Sequence, residues 1–263
     1  MKQQIINRLP GDFPWQNHIH WFDTIDSTNT RAKQMVLEGA PHGTVLIADH
    51  QVGGRGRMGR SFQSPVGMGI YMSVILRHGC PPQQLMHLTC AAAVAACDAV
   101  EKAVGIRPDI KWTNDLVCGR RKLAGILTEL VTYPGETAAV IGIGINCCQM
   151  EADFAEDIRS FAGSLSMVTG LETDRTVVAA CLIEAFCEMD KTLLTGKSQM
   201  MARYRGNCIT VGRDISLLLP GEIRHGHALS VDDEGALVVR FTDGTVEAVQ
   251  SGEVSVRGMY GYL

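Results

Sequence analysis

The sequence predicts an α+β domain followed by a small all-β barrel. Up to residue 204, short apolar strands are interspersed with two long helical stretches. Beyond Tyr204, short strand-like runs follow one another, separated by Gly, Pro and Asp at close spacing. The length, 263 residues, suits one domain of roughly 200 residues plus a small one. The expected domains are 1–204 and 205–263, the second a barrel of roughly 55 residues.

The elements follow from local chemistry. His18 to Asp23 reads as a strand, and Asp26-Ser27-Thr28 as the start of a helix stopped at Gly39. TVLIAD (44–49) is a strand, while QVGGRGRMGR (51–60) has no hydrophobic period and reads as a loop. IYMSVILR (70–77) is a strand. Pro82 to Ala103, Ala-rich with Pro-Pro at its start, predicts one long helix. IKW, LVC, LAGILTEL (123–130) and AVIGIGIN (139–146) are strands, and LVC-GRRK-LAGIL reads as a hairpin with Arg121 and Lys122 in its turn. A second helix is expected from Asp174 to Leu194, capped by Thr173 and stopped by Gly196. ITV, ISLLL, HALSV, ALVVRF, TVEAVQ and VSVRG supply the barrel.

Composition excludes several classes. With 46% hydrophobic and 20% charged residues, the chain is neither disordered nor unusual. No apolar run reaches the roughly 18–20 residues of a membrane helix. The Ala-rich stretch at 90–100 comes nearest, closed by Asp98, Glu101 and Lys102. The N-terminus has no apolar core of a signal peptide. A net charge of -4 does not suit a protein that coats nucleic acid. None of the nine cysteines lies in a CxxC pair. Cys90, Cys97, Cys181 and Cys187 fall among apolar residues and predict reduced core thiols, hence a cytoplasmic setting.

Four segments could carry chemistry. The loop at 51–60 packs four glycines and three arginines into ten residues. Glycine lets backbone turn and approach a ligand, and arginine forks onto carboxylate or phosphate oxygens. This suggests an anion-binding loop, against a solvated loop or an RNA contact. The loop lacks both the P-loop ending and the dinucleotide fingerprint. KWTND (111–115) and GRRKLAGIL (119–127) place Lys111, Asn114, Asp115 and Lys122 beside strand ends, although both also read as ordinary turns. GIGIN (142–146) removes side chains where a flat ligand, another backbone or a packed helix would approach. DSTN (26–29) is a helix cap that also offers NH groups to a ligand. No nucleophile–base pair or metal cage stands out, and anion-binding features dominate.

In this order and spacing, DSTN, QVGGRGRMGRSF, KWTNDL, RKLAGIL, GIGIN and GEVSVRG resemble the biotin protein ligases (biotin–[acetyl-CoA-carboxylase] ligases), over residues 20–260. The resemblance implies a mixed sheet flanked by helices, related to class II aminoacyl-tRNA synthetases, and a C-terminal SH3-like barrel. It also implies activation of biotin with ATP and Mg²⁺ to biotinyl-5′-AMP, then transfer to a lysine of the biotin carboxyl carrier protein of acetyl-CoA carboxylase. Carried over, Ser27, Thr28, Asn29 and Gln51 would contact biotin. Arg55, Gly56 and Arg57 would close over the intermediate, and Lys122 would bind the biotin carboxylate and the reacting phosphate. Arg57, Arg60, Lys111, Asn114 and Asn146 would serve ATP. Asp115 and Asn146 would serve the metal, and Asp115 would accept the carrier lysine's proton, so Lys122, Arg55 and Asp115 are the expected catalytic set.

Two positions depart from the pattern. Thr113 stands where the family usually has Pro, and Phe62 where it often has Trp. The roughly 20 residues ahead of the first strand are too few for a winged helix, so no operator binding is expected. The chain is expected to be a monomer or homodimer, with the 51–60 loop mobile when empty. A lipoate or octanoate ligase or transferase is the nearest alternative, and a nucleic-acid-binding module a more distant one.

Overall fold

The computed structural model describes residues 1–133, 136–219, 222–250 and 255–258. Helix α1 (Lys2–Ile6) precedes strand β1 (Ile19–Ile25), helix α2 (Thr28–Leu37), and strands β2 (Thr44–Gln51) and β3 (Gly69–Leu76). Helix α3 (Leu88–Val104) leads into β4 (Asp109–Lys111), β5 (Asp115–Cys118), β6 (Arg121–Tyr133) and β7 (Glu136–Asn146). Helices α4 (Leu165–Thr169), α5 (Arg175–Thr192) and α6 (Lys197–Asn207) follow. Then come β8 (Asp214–Leu219), β9 (Glu222–Val231), β10 (Leu237–Phe241), β11 (Val246–Val249) and β12 (Ser255–Gly258).

The first seven strands form one mixed sheet in the order β1-β2-β3-β7-β6-β5-β4, in which β1 and β2 are parallel and the other pairs antiparallel. The last five form an antiparallel sheet in the order β11-β10-β9-β8-β12. Side chains alternate across a strand, and along β7 that alternation sets the layers. Ala139, Ile141, Ile143 and Ile145 join the main core with α3 and α5. Ala138 and Val140 face the other way, packing with Ala32 and Val36 of α2. The next two positions on that second face are Gly142 and Gly144. Helix α2 covers part of this face, and the glycines leave the remainder open.

Several boundaries differ from expectation. The stretch 82–103 splits into a 3-10 turn at Pro82–Leu85 and helix α3, which ends at Gly105 in a left-handed conformation (φ 75°) that suits glycine. Asp174, not Thr173, caps α5, because its carboxylate accepts from Thr176 N and Val177 N, whereas Thr173 Oγ1 accepts from Ser166 Oγ. Helix α5 ends at Thr192, and Gly196 instead precedes α6, a helix the apolar pattern does not announce. Lys122 lies in β6 rather than in the turn. ITV (209–211) forms turns, with Cys208 bridging to Ile110. Of the strand expected at 254–258, Val254 lies outside the described residues. All nine cysteines are free, and Cys90, Cys97, Cys181 and Cys187 are buried. Among the described residues, no helix is long and apolar enough to cross a membrane.

Candidate active site

At one end of the large sheet β1, β2 and β7 finish while β3 and β6 begin, so their termini converge. A cleft of about 360 Å³ opens there over the uncovered face. Ser27, Thr28, Asn29, Gln51, Arg55, Gly56, Arg57, Arg60, Lys111, Asn114, Asp115, Lys122 and Asn146 all line it. Residues as far apart in sequence as Ser27 and Asn146 are thereby brought to one place.

The start of α2 forms one wall. Ser27 is its N-cap, but the Ser27 side chain makes no capping bond. Gln51 substitutes for it: Gln51 Oε1 accepts from Thr28 N at 2.8 Å and from Thr28 Oγ1 at 3.1 Å. Gln51 Nε2 donates to Ser64 Oγ at 2.9 Å. Asn29 is buried, and its amide is committed to protein. Its Nδ2 donates to Leu127 O (3.1 Å) and Glu129 Oε2 (3.0 Å), and its Oδ1 accepts from Ser73 Oγ (2.6 Å).

The glycine floor has a definite purpose at two positions. A Cβ on Gly142 would fall 2.0 Å from Asn29 Oδ1, and one on Gly144 would fall 2.5 Å from Phe62 Cε1. The flat group over the floor is therefore the Phe62 ring. It rests on the paired Gly144 and Gly125, edge-on to Tyr71 at 6.4 Å between centroids.

The 51–60 segment folds back on itself. Gly56 N donates to Arg60 O, Phe62 N donates to Gly54 O, and Arg55 bridges to Ser61. Met58 at its tip is exposed and left-handed (φ 55°). Three arginines thus reach the cleft from one short ribbon. Arg57 donates to Asn114 Oδ1 at 2.9 Å, and Asn114 Nδ2 to Ile126 O at 2.9 Å. Burial pushes the Arg57 guanidinium below its ordinary pKa, with the Asp115 charge opposing and Arg60 adding to the fall. It stays charged nonetheless.

Lys122 Nζ lies 2.6 Å from Asp115 Oδ1. The Lys122 backbone is clamped by the 161–163 segment: its N donates to Phe161 O, and its O accepts from Gly163 N. Asn146 is buried, donating to Gly163 O and accepting from Gln149 Nε2 at 3.1 Å. Among the described residues no cluster of three or more His, Cys, Asp or Glu could hold a metal.

A second wall, not expected from the sequence, is made by Phe154, Asp157, Ile158, Phe161 and Ala162. The spacing of Phe154, Ile158 and Phe161 is its one trace in the sequence, although Phe154 is extended and the residues after it form turns rather than a helix. Nor does the sequence announce how KWTND is anchored. Trp112 Nε1 donates to Gly235 O in the β9–β10 turn, and Trp112 N to Thr210 Oγ1, both at 2.9 Å. The Trp112–Thr113 peptide bond is cis, a geometry in which proline is the usual residue. Thr113 is buried and does not line the cleft.

A mixed α+β fold with a cation-lined cleft over a glycine floor defines an anion-handling protein. The biotin/lipoate A/B protein ligase family matches residues 21–146, and the biotin protein ligase C-terminal domain matches residues 210–257. The bifunctional ligase/repressor BirA of Bacillus spizizenii is 35% identical over 241 residues, 91% of this chain and 74% of the relative. The biotin–[acetyl-CoA-carboxylase] ligase of Mycobacterium tuberculosis is 32% identical over 237 residues, 87% of this chain and 85% of the relative. A biotin protein ligase from Aquifex aeolicus, solved in complex with biotin and ATP, superposes with a TM-score of 0.79 at 28% identity, over 92% of this chain and 99% of that one. The chain belongs to the biotin/lipoate A/B protein ligase family and is, within it, an ATP-dependent ligase of the biotin protein ligase kind.

Proposed function

We propose that the chain activates biotin with MgATP to biotinyl-5′-AMP and transfers the biotinyl group to one lysine of a biotin carboxyl carrier protein, that of acetyl-CoA carboxylase. The observation that carries this is the convergence of all thirteen motif residues on one cleft. Biotin carboxylate oxygen attacks the α-phosphorus of ATP, and the α–β bridging oxygen leaves with pyrophosphate. Both partners are anions. At about 4 Å and an effective dielectric near 20, two unit charges repel by about 4 kcal/mol, so cations must offset them before they meet.

Lys122, Arg55 and Arg57, which line the cleft, would do this, with Lys122 on the biotin carboxylate and the reacting phosphate. Arg60, Lys111 and Asn114 serve the remaining phosphates and the nucleotide. Ser27, Thr28, Gln51 and Gly56 would enclose the biotin head group, with Asn29 fixing the wall behind them. In the second step the carrier lysine, as free amine, attacks the acyl carbon and AMP leaves. Asp115 accepts the amine's proton.

Magnesium is held in such sites by one or two carboxylates together with substrate phosphates. Asp115 is an oxygen donor of the right type on the cleft wall. Asn146 could add a carbonyl oxygen, although Gln149 already donates to it. When bound, the ion would neutralise phosphate charge.

A boundary near 205, separating a catalytic unit from an SH3-like unit, is supported by the change from the mixed to the antiparallel sheet. The free cysteines support a cytoplasmic setting. The protein would act as a monomer or as a homodimer. The test is incubation with biotin, MgATP and a purified carrier domain, read by intact mass. One biotinyl addition, abolished when the target lysine is changed to arginine, is expected. An unmodified carrier with adenylate formed would restrict the activity to the first step.

A further inference from the structure

Glu129 is on β6, two positions beyond Leu127 on the face that carries the cleft, yet it does not line the cleft. Its carboxylate is half-buried and gathers three side chains. Lys33 Nζ lies 2.7 Å from Oε1, Asn29 Nδ2 donates to Oε2 at 3.0 Å, and Arg55 Nη1 lies 3.6 Å from Oε1. Two of these three, Asn29 and Arg55, line the cleft. Burial pulls the Glu129 carboxyl towards the neutral form. The hydrogen bonds from Lys33 and Asn29, with the charges of Lys33 and Arg55, outweigh that and hold its pKa below the ordinary value. It is an anion at neutral pH.

We infer that Glu129 is a positioning residue: it fixes Arg55 and Asn29 together, so that the Arg55 guanidinium is already aimed into the cleft before an anionic substrate arrives. The inference rests on the proposed reaction with biotin. Arg55 comes from the glycine-rich ribbon, and its side chain is nearly half exposed. A long side chain on such a segment loses much rotamer freedom when it is fixed. Its fork carries five N–H donors, so one edge can rest on Glu129 while another faces the ligand. Lys33 balances part of the carboxylate charge, which leaves Arg55 held without being neutralised. The same carboxylate orients the Asn29 amide, which in turn sits over Gly142.

Glu129→Gln tests this, because the amide keeps the size and an acceptor for Asn29 while removing the charge that holds Arg55. An anchor lost from ground state and transition state alike raises KM for biotin, by about tenfold, with kcat changing less than about threefold. In Arg55→Ala the same substitution should add little, since coupled residues are not additive. Glu129→Asp should fall between wild type and Glu129→Gln. Without ligand, Glu129→Gln should also be cut faster by protease in the 51–60 segment, at an unchanged melting temperature.

An unchanged KM for biotin, or losses that multiply in the double variant, would overturn the inference. So would equal protease sensitivity. A wild-type protein without biotin-dependent pyrophosphate exchange would instead remove the proposed reaction. The protease comparison would then still decide whether Glu129 anchors the ribbon.

Discussion

The Phe62 ring fills the space that a side chain at residue 144 would need: a Cβ built on Gly144 falls 2.5 Å from Phe62 Cε1 and 2.8 Å from Cζ. The ribbon and the sheet floor are thus fitted to each other. Gly144→Ala should displace the ring, costing about 1–3 kcal/mol by overpacking, and should weaken ligand binding more than it lowers stability. Phe62→Leu in the same chain should recover part of the loss, because the clash is with the ring. Melting temperatures and biotin KM for the two single variants and the pair measure this, and simple addition of their effects would be the wrong result.

Lys122 is paired with Asp115 and clamped through its backbone, so its ammonium is held by two independent sets of contacts. Lys122→Ala leaves the backbone clamp intact. Adenylate formation should drop by about 10²–10³-fold, on the order of one lost charge-stabilising donor. The melting temperature should move by only a few degrees, since partly exposed ion pairs are worth about 1 kcal/mol or less. Single-turnover kinetics with circular dichroism check this, and a variant that melts early yet keeps its rate would contradict it.

Trp112 ties the strand carrying Lys111 to the C-terminal sheet through Gly235 O. Trp112→Phe keeps the ring and removes the donor, leaving a buried carbonyl without that partner at a cost of about 1–3 kcal/mol. Because Lys111, Asn114 and Asp115 flank Trp112, KM for ATP should rise more than KM for biotin. Equal effects on both would argue that the link has no bearing on the nucleotide side.

Far from the cleft, His42 and His78 both meet Asp190, at 2.8 and 2.9 Å. The hydrogen bond to Asp190 raises the His42 pKa above 6.5, with burial opposing. Burial raises Asp190, but the hydrogen bond with His42 and the charges of the two histidines outweigh it and lower its carboxyl from the ordinary value. A raised histidine contributes stability that is full below pH 6.5 and is lost as pH climbs through its folded value. A depressed carboxyl contributes stability that is present above 3.8 and lost as pH falls through its own. His42 is partly exposed, so its share is on the order of 1 kcal/mol. The melting temperature should decline by a few degrees as pH rises past the raised His42 value, and His42→Gln should flatten that decline. Identical profiles for the two proteins would exclude His42 as the source.

Most of the site was legible in the sequence because its residues lie in short runs of unusual chemistry. The Gly-Arg ribbon, KWTND, Lys122 and the GIGIN glycines need no long-range information to be noticed. The strands of the large sheet were legible for a similar reason, since their apolar runs are dense. Illegible features depend on partners distant in sequence. Helix α6 is too polar to announce itself and is held by Tyr204 and Met201, both fully buried. The 154–162 wall carries no polar motif. The role of Gly142 is clear only once Asn29 is known to lie against it, held there by Ser73, Leu127 and Glu129. Thr173 and Asp174 compete as caps in sequence, and the carboxylate wins because it reaches two backbone amides at once.

The most direct measurement is exchange of labelled pyrophosphate into ATP by the purified chain, with Mg²⁺ and each candidate acid in turn. Exchange that depends on biotin, is absent with lipoate and octanoate, and is lost in Lys122→Ala is the result predicted. Exchange with lipoate or octanoate but not with biotin, or a folded chain that exchanges with none of the three, would contradict it.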